Sequence, residues 1–382
     1  MKPLRCIDLF SGIGGLTLAL EGVTNTVMYC EADASAVSVL KRRMRCGDLP
    51  HAPISTDVRT LDREWLAHQK LDMRNTCPQA VLAGFPCVGF SSAGKHGGYE
   101  DKGTSLFFEI LRVVDILRTP PILFLENVSR IVREGMDVIF TELCVKRRYE
   151  VYWTTFSAER VGAPQKRERW YCIAIPRDLP TSYLFRLKKL EPTMKILDDW
   201  KKNRPPSRVF GSSLTGHARQ RIQLLGNSVV PSAARVAYMH LLDCMRSVDP
   251  RAAVRVARTS RQSYPPSGAF FGENETNTIL ITLPSPPTHK NGVVDFDIRL
   301  VGHDGNVIKK THWATLTRTD GLTGTHNHLT LRSSGCIKAQ IQFETRTEHT
   351  PEHRAMSPLF AEWLMGFPSH WTDEKSCRVS RR

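Results

Sequence analysis

The order of elements predicted at the start of the chain constrains the fold most strongly. The sequence predicts an apolar strand over 4–10, a glycine-rich turn over 11–15, a helix over 16–21 and a second strand over 26–30. Strand, glycine-rich turn and helix in this order are typical of the opening of a nucleotide-binding βαβ unit. Glycines in the turn permit a tight bend and a close approach of the backbone to a ligand. We therefore predict an α/β fold.

The turn and the acid that ends the second strand indicate the kind of ligand. The turn lacks the G-x-G-x-x-G spacing, so a dinucleotide is not favoured. Glu31 lies about twenty residues beyond the turn, where a βαβ unit holds ribose hydroxyls. A glycine turn or an acid after a strand is a weak signal by itself, but their order and spacing favour an adenosine-type ligand.

A cysteine follows the apolar strand that is predicted over 80–83. Gly84 and Pro86 stop this strand, so we expect Cys87 on a loop just past its end. Ligands bind at that edge of open α/β sheets, and a cysteine there is a candidate nucleophile. The alternative is a structural cysteine, since free cysteines are often buried.

Charged residues mark two further strand ends. Glu126 follows the apolar strand predicted over 122–125, where an acid is costly to bury without a partner or a purpose. The alternative is a helix cap, for which Asn127 is the better residue. A basic turn over 163–169 precedes a strand predicted over 170–175, and its alternative interpretation is a solvated face.

Length, charge and cysteine usage bound the class of protein. The 382 residues suggest two or three domains, and the net charge of +15 suggests a polyanionic partner, although an unrelated basic protein would share it. None of the ten cysteines has C-x-x-C spacing, so we expect reduced thiols in an intracellular protein and no metal site. No apolar stretch approaches the length of a membrane span, so we expect no membrane partner.

Changes in composition divide the chain into three predicted regions. Residues 1–246 hold the strands and helices described above, with a basic, Pro- and Ser-rich connector over 177–220. Residues 247–353 are rich in Pro, Thr, Ser, His and Arg, and their short alternating segments suggest β structure. Residues 354–382 hold an apolar helical run and a tail, which we expect to pack back on one of the other regions.

Together these features resemble the DNA cytosine-C5 methyltransferases. Six blocks between residues 4 and 232 match the family's motifs in the family's order. They are the glycine motif beginning at Asp8, the acids Glu31 and Asp57, the Pro-Cys motif at Cys87, the Glu-Asn-Val motif at Glu126, the Gln-x-Arg-x-Arg motif at Gln165 and the Gly-Asn-Ser-Val motif at Gly226. The resemblance implies a Rossmann-like domain that depends on S-adenosylmethionine, and a smaller, mostly β or irregular target-recognition domain at 247–353.

The resemblance also implies roles for individual residues. Cys87 would add to C6 of cytosine, Glu126 would protonate or hydrogen-bond N3, and Arg169 would hold O2. The implied catalytic residues are Cys87, Glu126, Gln165, Arg167 and Arg169. The implied S-adenosylmethionine site comprises Asp8, Leu9, Phe10, Ser11, Gly12, Gly14, Gly15, Glu31, Asp57, Pro86, Leu106, Asn227, Ser228 and Val229.

The implied partner is double-stranded DNA, because duplex stacking hides C6 and the target cytosine must be flipped out. We expect a monomer without a metal. The expected location is the cytoplasm of a bacterial host, or wherever phage or viral DNA is replicated, and a nuclear location stays open for a eukaryotic host.

The chain departs from the family at two points. Gly103 stands where the family commonly has an Arg, so Lys95 or Lys102 would have to supply the corresponding loop contact to DNA. The block at 354–371 resembles the family's penultimate block, yet it follows the Gly-Asn-Ser-Val block, as in some phage-type members. This order places the recognition region between the two blocks.

Three alternative functions stay open. A methyltransferase acting on cytosine in RNA would use the same cysteine chemistry, although a separate recognition region favours DNA. An inactive regulator that binds cofactor and nucleic acid would be expected to lack Cys87, Glu126 or Arg169, and all three are present. A structural nucleic-acid-binding protein would leave the glycine turn and Glu31 without a purpose.

Overall fold

The computed structural model describes residues 2–71, 77–86, 105–179, 200, 206, 216–247 and 356–373. Three groups of predictions lie outside these residues. They are the nucleophile Cys87, the loop residues Lys95, Lys102 and Gly103, and the recognition region from 248 to 353.

The described residues form one mixed sheet of seven strands in the order β3-β2-β1-β4-β5-β7-β6. Strands β1 to β5 pair in parallel, and β7 runs antiparallel to both β5 and β6. The strands are β1 Leu4–Leu9, β2 Thr24–Cys30, β3 Ile54–Ser55, β4 Ala80–Gly84, β5 Ile122–Val128, β6 Tyr149–Ser157 and β7 Glu168–Pro176. This mixed α/β sheet confirms the predicted fold class.

Helices connect the strands and cover the sheet. In the described part of the chain they are α1 Gly15–Ala19, α2 Ala34–Arg45, α3 Arg63–His68, α4 Ser105–Ile116, α5 Ile131–Glu134, α6 Met136–Phe140, α7 Gly216–Asn227, α8 Pro231–Ser247 and α9 Pro358–Leu364. Short 3-10 turns occupy Val58–Thr60 and Ala158–Val161, and a π-helical turn spans Thr141–Lys146.

The two faces of the sheet form two separate apolar clusters. Along β5, Ile122 and Phe124 belong to one cluster, whereas Leu123 and Leu125 belong to the other. Successive side chains of a strand point to opposite faces, so a strand covered on both sides must be apolar throughout. This explains why the central strands read as unbroken apolar runs and why their first polar residues mark the edge of the sheet.

Several predicted boundaries were wrong by a few residues. Strand β5 continues through Val128, so Glu126 lies within the strand and does not follow it. Arg169 likewise belongs to β7 and not to a turn. Both are held in the strands by antiparallel pairing between β5 and β7, which a local pattern does not reveal. Residues 216–227, part of them expected in the connector, form a helix whose inner face is buried.

Among the described cysteines, five are free and one is disulfide-bonded. The five free cysteines are Cys6, Cys30, Cys77, Cys144 and Cys172. Cys46 is instead disulfide-bonded, so the prediction that all thiols are reduced is wrong there. Within the described residues, no helix has the length and apolar character needed to cross a membrane, and no group of metal-binding side chains is clustered.

Candidate active site

The predicted site residues collect at the carboxyl edge of the parallel strands. The glycine turn follows β1, Glu31 follows β2 and Asp57 lies two residues beyond β3. Phe85 and Pro86 follow β4 at the same edge. In open α/β sheets ligands bind in the crevice at this edge, so the topology itself gathers residues that are distant in the sequence.

The Glu31 carboxylate joins the glycine turn to the loop after β2. Its Oε2 accepts a hydrogen bond from the backbone N–H of Gly12 at 2.7 Å, and its Oε1 accepts one from Asp33 N at 2.8 Å. Burial raises the pKa of Glu31, and these backbone donors oppose that shift. Each carboxylate oxygen retains acceptor capacity for a hydroxyl group of a ligand.

Phe10 begins the turn in an uncommon conformation. Its φ of +55° lies in the left-handed region, which is rare for an aromatic residue and persists only when the surroundings hold it. The neighbouring Ser11 provides that support: its hydroxyl donates to Asp8 O at 2.6 Å and its N–H donates to Cys30 O at 3.0 Å. The half-buried Phe10 side chain packs against the same apolar cluster as Leu106 of α4.

Asp8 and Leu9 lie beneath the turn, and neither side chain is exposed. Asp8 Oδ2 accepts a hydrogen bond from the Thr17 hydroxyl at 2.7 Å. Burial raises the pKa of Asp8 to about 7, the Thr17 bond opposes this shift, and the nearby Glu31 carboxylate adds to it. The carboxyl group of Asp8 is therefore buried at the start of the turn and hydrogen-bonded to Thr17.

Gly15 brings the predicted first and last cofactor blocks into contact. A Cβ at this position would lie 2.8 Å from Val229 Cγ2 and 2.9 Å from Ser228 Oγ, so only glycine permits this approach. Asn227 ends α7 and is exposed beside them. Arg167 binds the backbone of the last block at this junction.

Arg167 is almost completely buried and serves the junction between α7 and α8. Its Nη2 donates to the carbonyl oxygens of Gly226 at 3.0 Å and Ser228 at 2.6 Å. A guanidinium that contacts two carbonyls at a helix end compensates the orphan acceptors there. Arg167 also contributes positive charge near Glu126.

Asp57 is more exposed than the other predicted acid, with 38% of its side chain accessible. Its Oδ1 accepts from the backbone N–H of Arg59 at 3.0 Å and from Arg59 Nε at 2.9 Å. The hydrogen bond from the Arg59 side chain holds the pKa of Asp57 below its ordinary value. Asp57 thus caps a 3-10 turn at the rim of the crevice.

Glu126 places a buried carboxyl group at the carboxyl edge of the sheet, beside β4. Glu126 is paired with Gly84 across β4 and β5, and a Cβ on Gly84 would lie 3.1 Å from Glu126 Oε2. Arg169 Nε lies 3.4 Å from Glu126 Oε1. Burial raises the pKa of Glu126, and the charges of Arg169 and Arg167 oppose that rise. A buried carboxyl with a raised pKa beside a cation is suited to proton donation.

Asn127 connects this acid to the strand that precedes Cys87 in the chain. Its Nδ2 donates to Phe85 O at 3.3 Å, and its Oδ1 accepts from Val128 N at 2.8 Å. Phe85 is buried and packs against Phe107 with ring centroids 5.4 Å apart. Pro86, which comes next, is exposed.

Gln165 contacts the C-terminal segment. Its Nε2 donates to Leu364 O at 2.9 Å and lies 3.2 Å from Met365 Sδ. The side chain is fully buried. The geometry therefore gives Gln165 an anchoring contact.

Sequence reasoning missed two residues of α8 that support the site. The Tyr238 hydroxyl donates to Leu125 O at 2.9 Å, directly before Glu126 in β5. Arg235 Nε donates to Ala19 O at 2.8 Å and its Nη2 donates to Glu21 O at 3.1 Å, which caps the end of α1. The two residues are three apart, so helical spacing could have placed them on one buried face.

An α/β sheet with a glycine turn and a following acid at its carboxyl edge is typical of nucleotide-binding enzymes. The sequence profile of the family described as C-5 cytosine-specific DNA methylase matches residues 4–379. The chain therefore belongs to the C-5 cytosine-specific DNA methylase family, which confirms the resemblance and the enzyme class, a DNA cytosine-C5 methyltransferase.

Individual relatives agree with the family. The chain is 26% identical to Type II methyltransferase M.CviJI of Paramecium bursaria Chlorella virus IL3A, over 96% of this chain and 97% of that protein. It is 33% identical to Type II methyltransferase M.NgoBI of Neisseria gonorrhoeae, over 51% of this chain and 58% of that protein. It is also 33% identical to Type II methyltransferase M.HhaI of Haemophilus parahaemolyticus, over 47% and 51%. The match thus spans nearly all of the viral relative and about half of each bacterial one.

Proposed function

We propose that this chain transfers a methyl group from S-adenosylmethionine to C5 of a cytosine in double-stranded DNA, through a covalent bond between Cys87 and C6. The observation that carries the proposal is the pairing of Gly84 with Glu126 beside Arg169. It sets a buried acid with a raised pKa next to the strand that leads, within three residues, to Cys87.

The residues around the glycine turn fit S-adenosylmethionine. The Glu31 carboxylate can accept hydrogen bonds from both ribose hydroxyls while it keeps its bonds to the backbone of Gly12 and Asp33. The half-buried Phe10 offers an apolar surface, and the exposed Asp57 offers an acceptor at the rim for an amino group. When bound, S-adenosylmethionine supplies an electrophilic methyl group on a sulfonium.

Cys87 supplies the nucleophile in this proposal. C5 of cytosine is a weak nucleophile, and a thiolate that bonds to C6 makes C5 electron-rich enough to take the methyl group. The thiolate is the reactive form, and positive charge close to a thiol favours it. After transfer, loss of the C5 proton to a base and release of the Cys87 thiolate restore the aromatic ring.

Glu126 and Arg169 assist the addition. As electrons move onto the ring, N3 takes a proton or a strong hydrogen bond from the Glu126 carboxyl, whose raised pKa keeps it protonated to higher pH. Arg169 pairs with Val128 across β5 and β7, its Nε lies 3.4 Å from Glu126 Oε1, and it can stabilise negative charge at O2. Asn127 joins β5 to the residue that follows β4 through its bond to Phe85 O.

The choice of DNA rests on charge and on the inserted region. A net charge of +15 suits a phosphate backbone, and binding should weaken steeply with salt. The region over 247–353 supplies side chains that would read base edges, while the target base is flipped into the site.

A side-by-side methylation assay tests this function. Purified full-length protein is incubated with labelled S-adenosylmethionine and either duplex DNA of mixed sequence or tRNA, and 5-methylcytosine is measured in each. We expect label in DNA and little in tRNA. Label mainly in tRNA would favour the RNA alternative, and cofactor binding without label in either would favour an inactive regulator.

A further inference from the structure

The C-terminal segment 356–373 contacts the glycine turn directly. Trp371 is buried, and its Nε1 donates a hydrogen bond to Ile13 O at 2.9 Å. Phe367 Cζ lies 3.5 Å from the position that a Cβ of Gly15 would occupy. Ile13 lies between Gly12, whose N–H binds the Glu31 carboxylate, and Gly14, whose N–H closes the turn onto Ser11 O at 2.9 Å.

A buried carboxylate holds this segment in shape. Glu362 has no exposed surface, and Arg221 Nη2 donates to its Oε1 at 2.9 Å. The backbone N–H of Thr372 donates to Oε1 at 2.8 Å, and the N–H of His370 donates to Oε2 at 2.7 Å. A buried carboxylate is stable when its lone pairs are filled in this way. These bonds close the turn after α9 and return Trp371 to the glycine turn.

Two residues of the predicted catalytic region, Arg43 and Gln165, also hydrogen-bond to the segment. Arg43 of α2 donates to His370 O at 3.2 Å and to Asp373 O at 3.1 Å, and its guanidinium lies 5.6 Å from the centre of the Trp371 ring. Gln165 donates to Leu364 O at 2.9 Å. The indole is therefore fixed, and its N–H is directed at one carbonyl of the turn.

We propose that Trp371 is a positioning residue for the methyl-donor site: its indole N–H fixes the Ile13–Gly14 peptide and so keeps the Gly12 N–H in register with Glu31. The inference rests on the proposed function, since it concerns the same cofactor site. The positioning role thus belongs to the C-terminal segment, which follows the predicted recognition region directly in the chain.

The test compares Trp371→Phe with Trp363→Phe in the full chain. Phenylalanine keeps a ring but removes the N–H. Trp363 is the matched control, because it lies in the same segment and its Nε1 donates no hydrogen bond within the described residues. Two readouts are used besides activity: the Kd for S-adenosylmethionine by calorimetry, and hydrogen exchange of the peptide covering 10–18 in the cofactor-free protein.

We expect Trp371→Phe to raise the Kd for S-adenosylmethionine by about fivefold to tenfold, as for the loss of one buried hydrogen bond. Exchange in the 10–18 peptide should rise with it, and the KM for S-adenosylmethionine should rise more than kcat falls. Trp363→Phe should change neither Kd nor exchange. Unchanged Kd and exchange in Trp371→Phe, or equal changes in both variants, would overturn the proposal.

Two arrangements keep the test decisive. If Trp371→Phe does not fold, Glu362→Gln takes its place in the test. This change weakens the turn that carries Trp371 without altering the indole, and it should increase exchange in the same peptide. If the wild-type protein binds no S-adenosylmethionine, the proposed function fails, while the exchange comparison still decides whether Trp371 fixes the turn.

Discussion

The Glu126 carboxylate and the Arg169 guanidinium lie 3.4 Å apart, Oε1 to Nε, on two antiparallel neighbours of the sheet. Both side chains are largely buried. Burial raises the pKa of Glu126 although Arg169 opposes the shift, so desolvation outweighs the ion pair. Burial and the two guanidinium groups therefore act in opposite directions on the same carboxyl group.

Glu126→Gln should slow methyl transfer more than it weakens cofactor binding. The amide can still donate a hydrogen bond but cannot release a proton, so we expect single-turnover methylation to fall by about 10²-fold to 10⁴-fold. In the wild type, the rate should fall as the pH rises through the folded-state pKa of Glu126, which burial raises above its ordinary value. The variant should lack this fall. Equal losses in rate and in cofactor affinity would count against the role at N3.

Arg167→Lys should mainly lower stability, whereas Arg169→Lys should mainly lower the rate of methyl transfer. Arg167→Lys loses the guanidinium whose Nη2 binds Gly226 O and Ser228 O, and it should lower the free energy of unfolding by about 1.5–3 kcal/mol. Arg169→Lys should leave stability nearly intact but reduce the single-turnover rate by about 10²-fold. Denaturant unfolding and rapid-quench assays separate the two effects. The reverse pattern would contradict the assignment.

Gly15→Ala should damage the junction between the first and last cofactor blocks. The new Cβ would meet Val229 and Ser228 at less than 3 Å, so the backbone must move, and stability should fall by about 1–3 kcal/mol. Calorimetry should detect a weaker affinity for S-adenosylmethionine. Gly216→Ala is the control, since a Cβ there meets nothing within 4 Å. If both alanine variants behave alike, the close approach at Gly15 is not what matters.

Asp8 should make stability depend on pH. Its pKa is raised from 3.8 to about 7 by burial, so the folded state holds a proton that the unfolded state has lost between these values. Stability should therefore be fully present below about pH 4 and decline towards pH 7, by up to about 1.4 kcal/mol per pH unit. Asp8→Asn should remove this slope in denaturant titrations from pH 4.5 to 6.5. Parallel profiles for the two proteins would refute the assignment.

The sequence predicted the parts of the site that depend on local order. Unbroken apolar runs before Gly84 and Glu126 indicated buried strands, and Glu31 and Glu126 indicated polar residues at strand ends. The family blocks then indicated which acids belong together. Local patterns did not show that Glu126 and Arg169 lie inside strands, because antiparallel pairing between β5 and β7 extends both strands.

Contacts between distant parts of the chain could not be predicted in the same way. Gln165 is 199 positions from Leu364, and Trp371 is 358 positions from Ile13. Such partners are chosen by how α7, α8 and α9 pack on the sheet, and no local periodicity records that choice. Local patterns therefore did not predict that Gln165, expected among the catalytic residues, also anchors the C-terminal segment.

The central claim is that Cys87 carries the reaction, and sequencing of converted DNA tests it most directly. DNA from cells expressing the full chain is treated with bisulfite and compared with DNA from cells expressing Cys87→Ala at equal level. Calorimetry first verifies that the variant still binds S-adenosylmethionine. We expect protected cytosines at one recurring short sequence with the wild type and none with Cys87→Ala. The same protected cytosines with Cys87→Ala would contradict it.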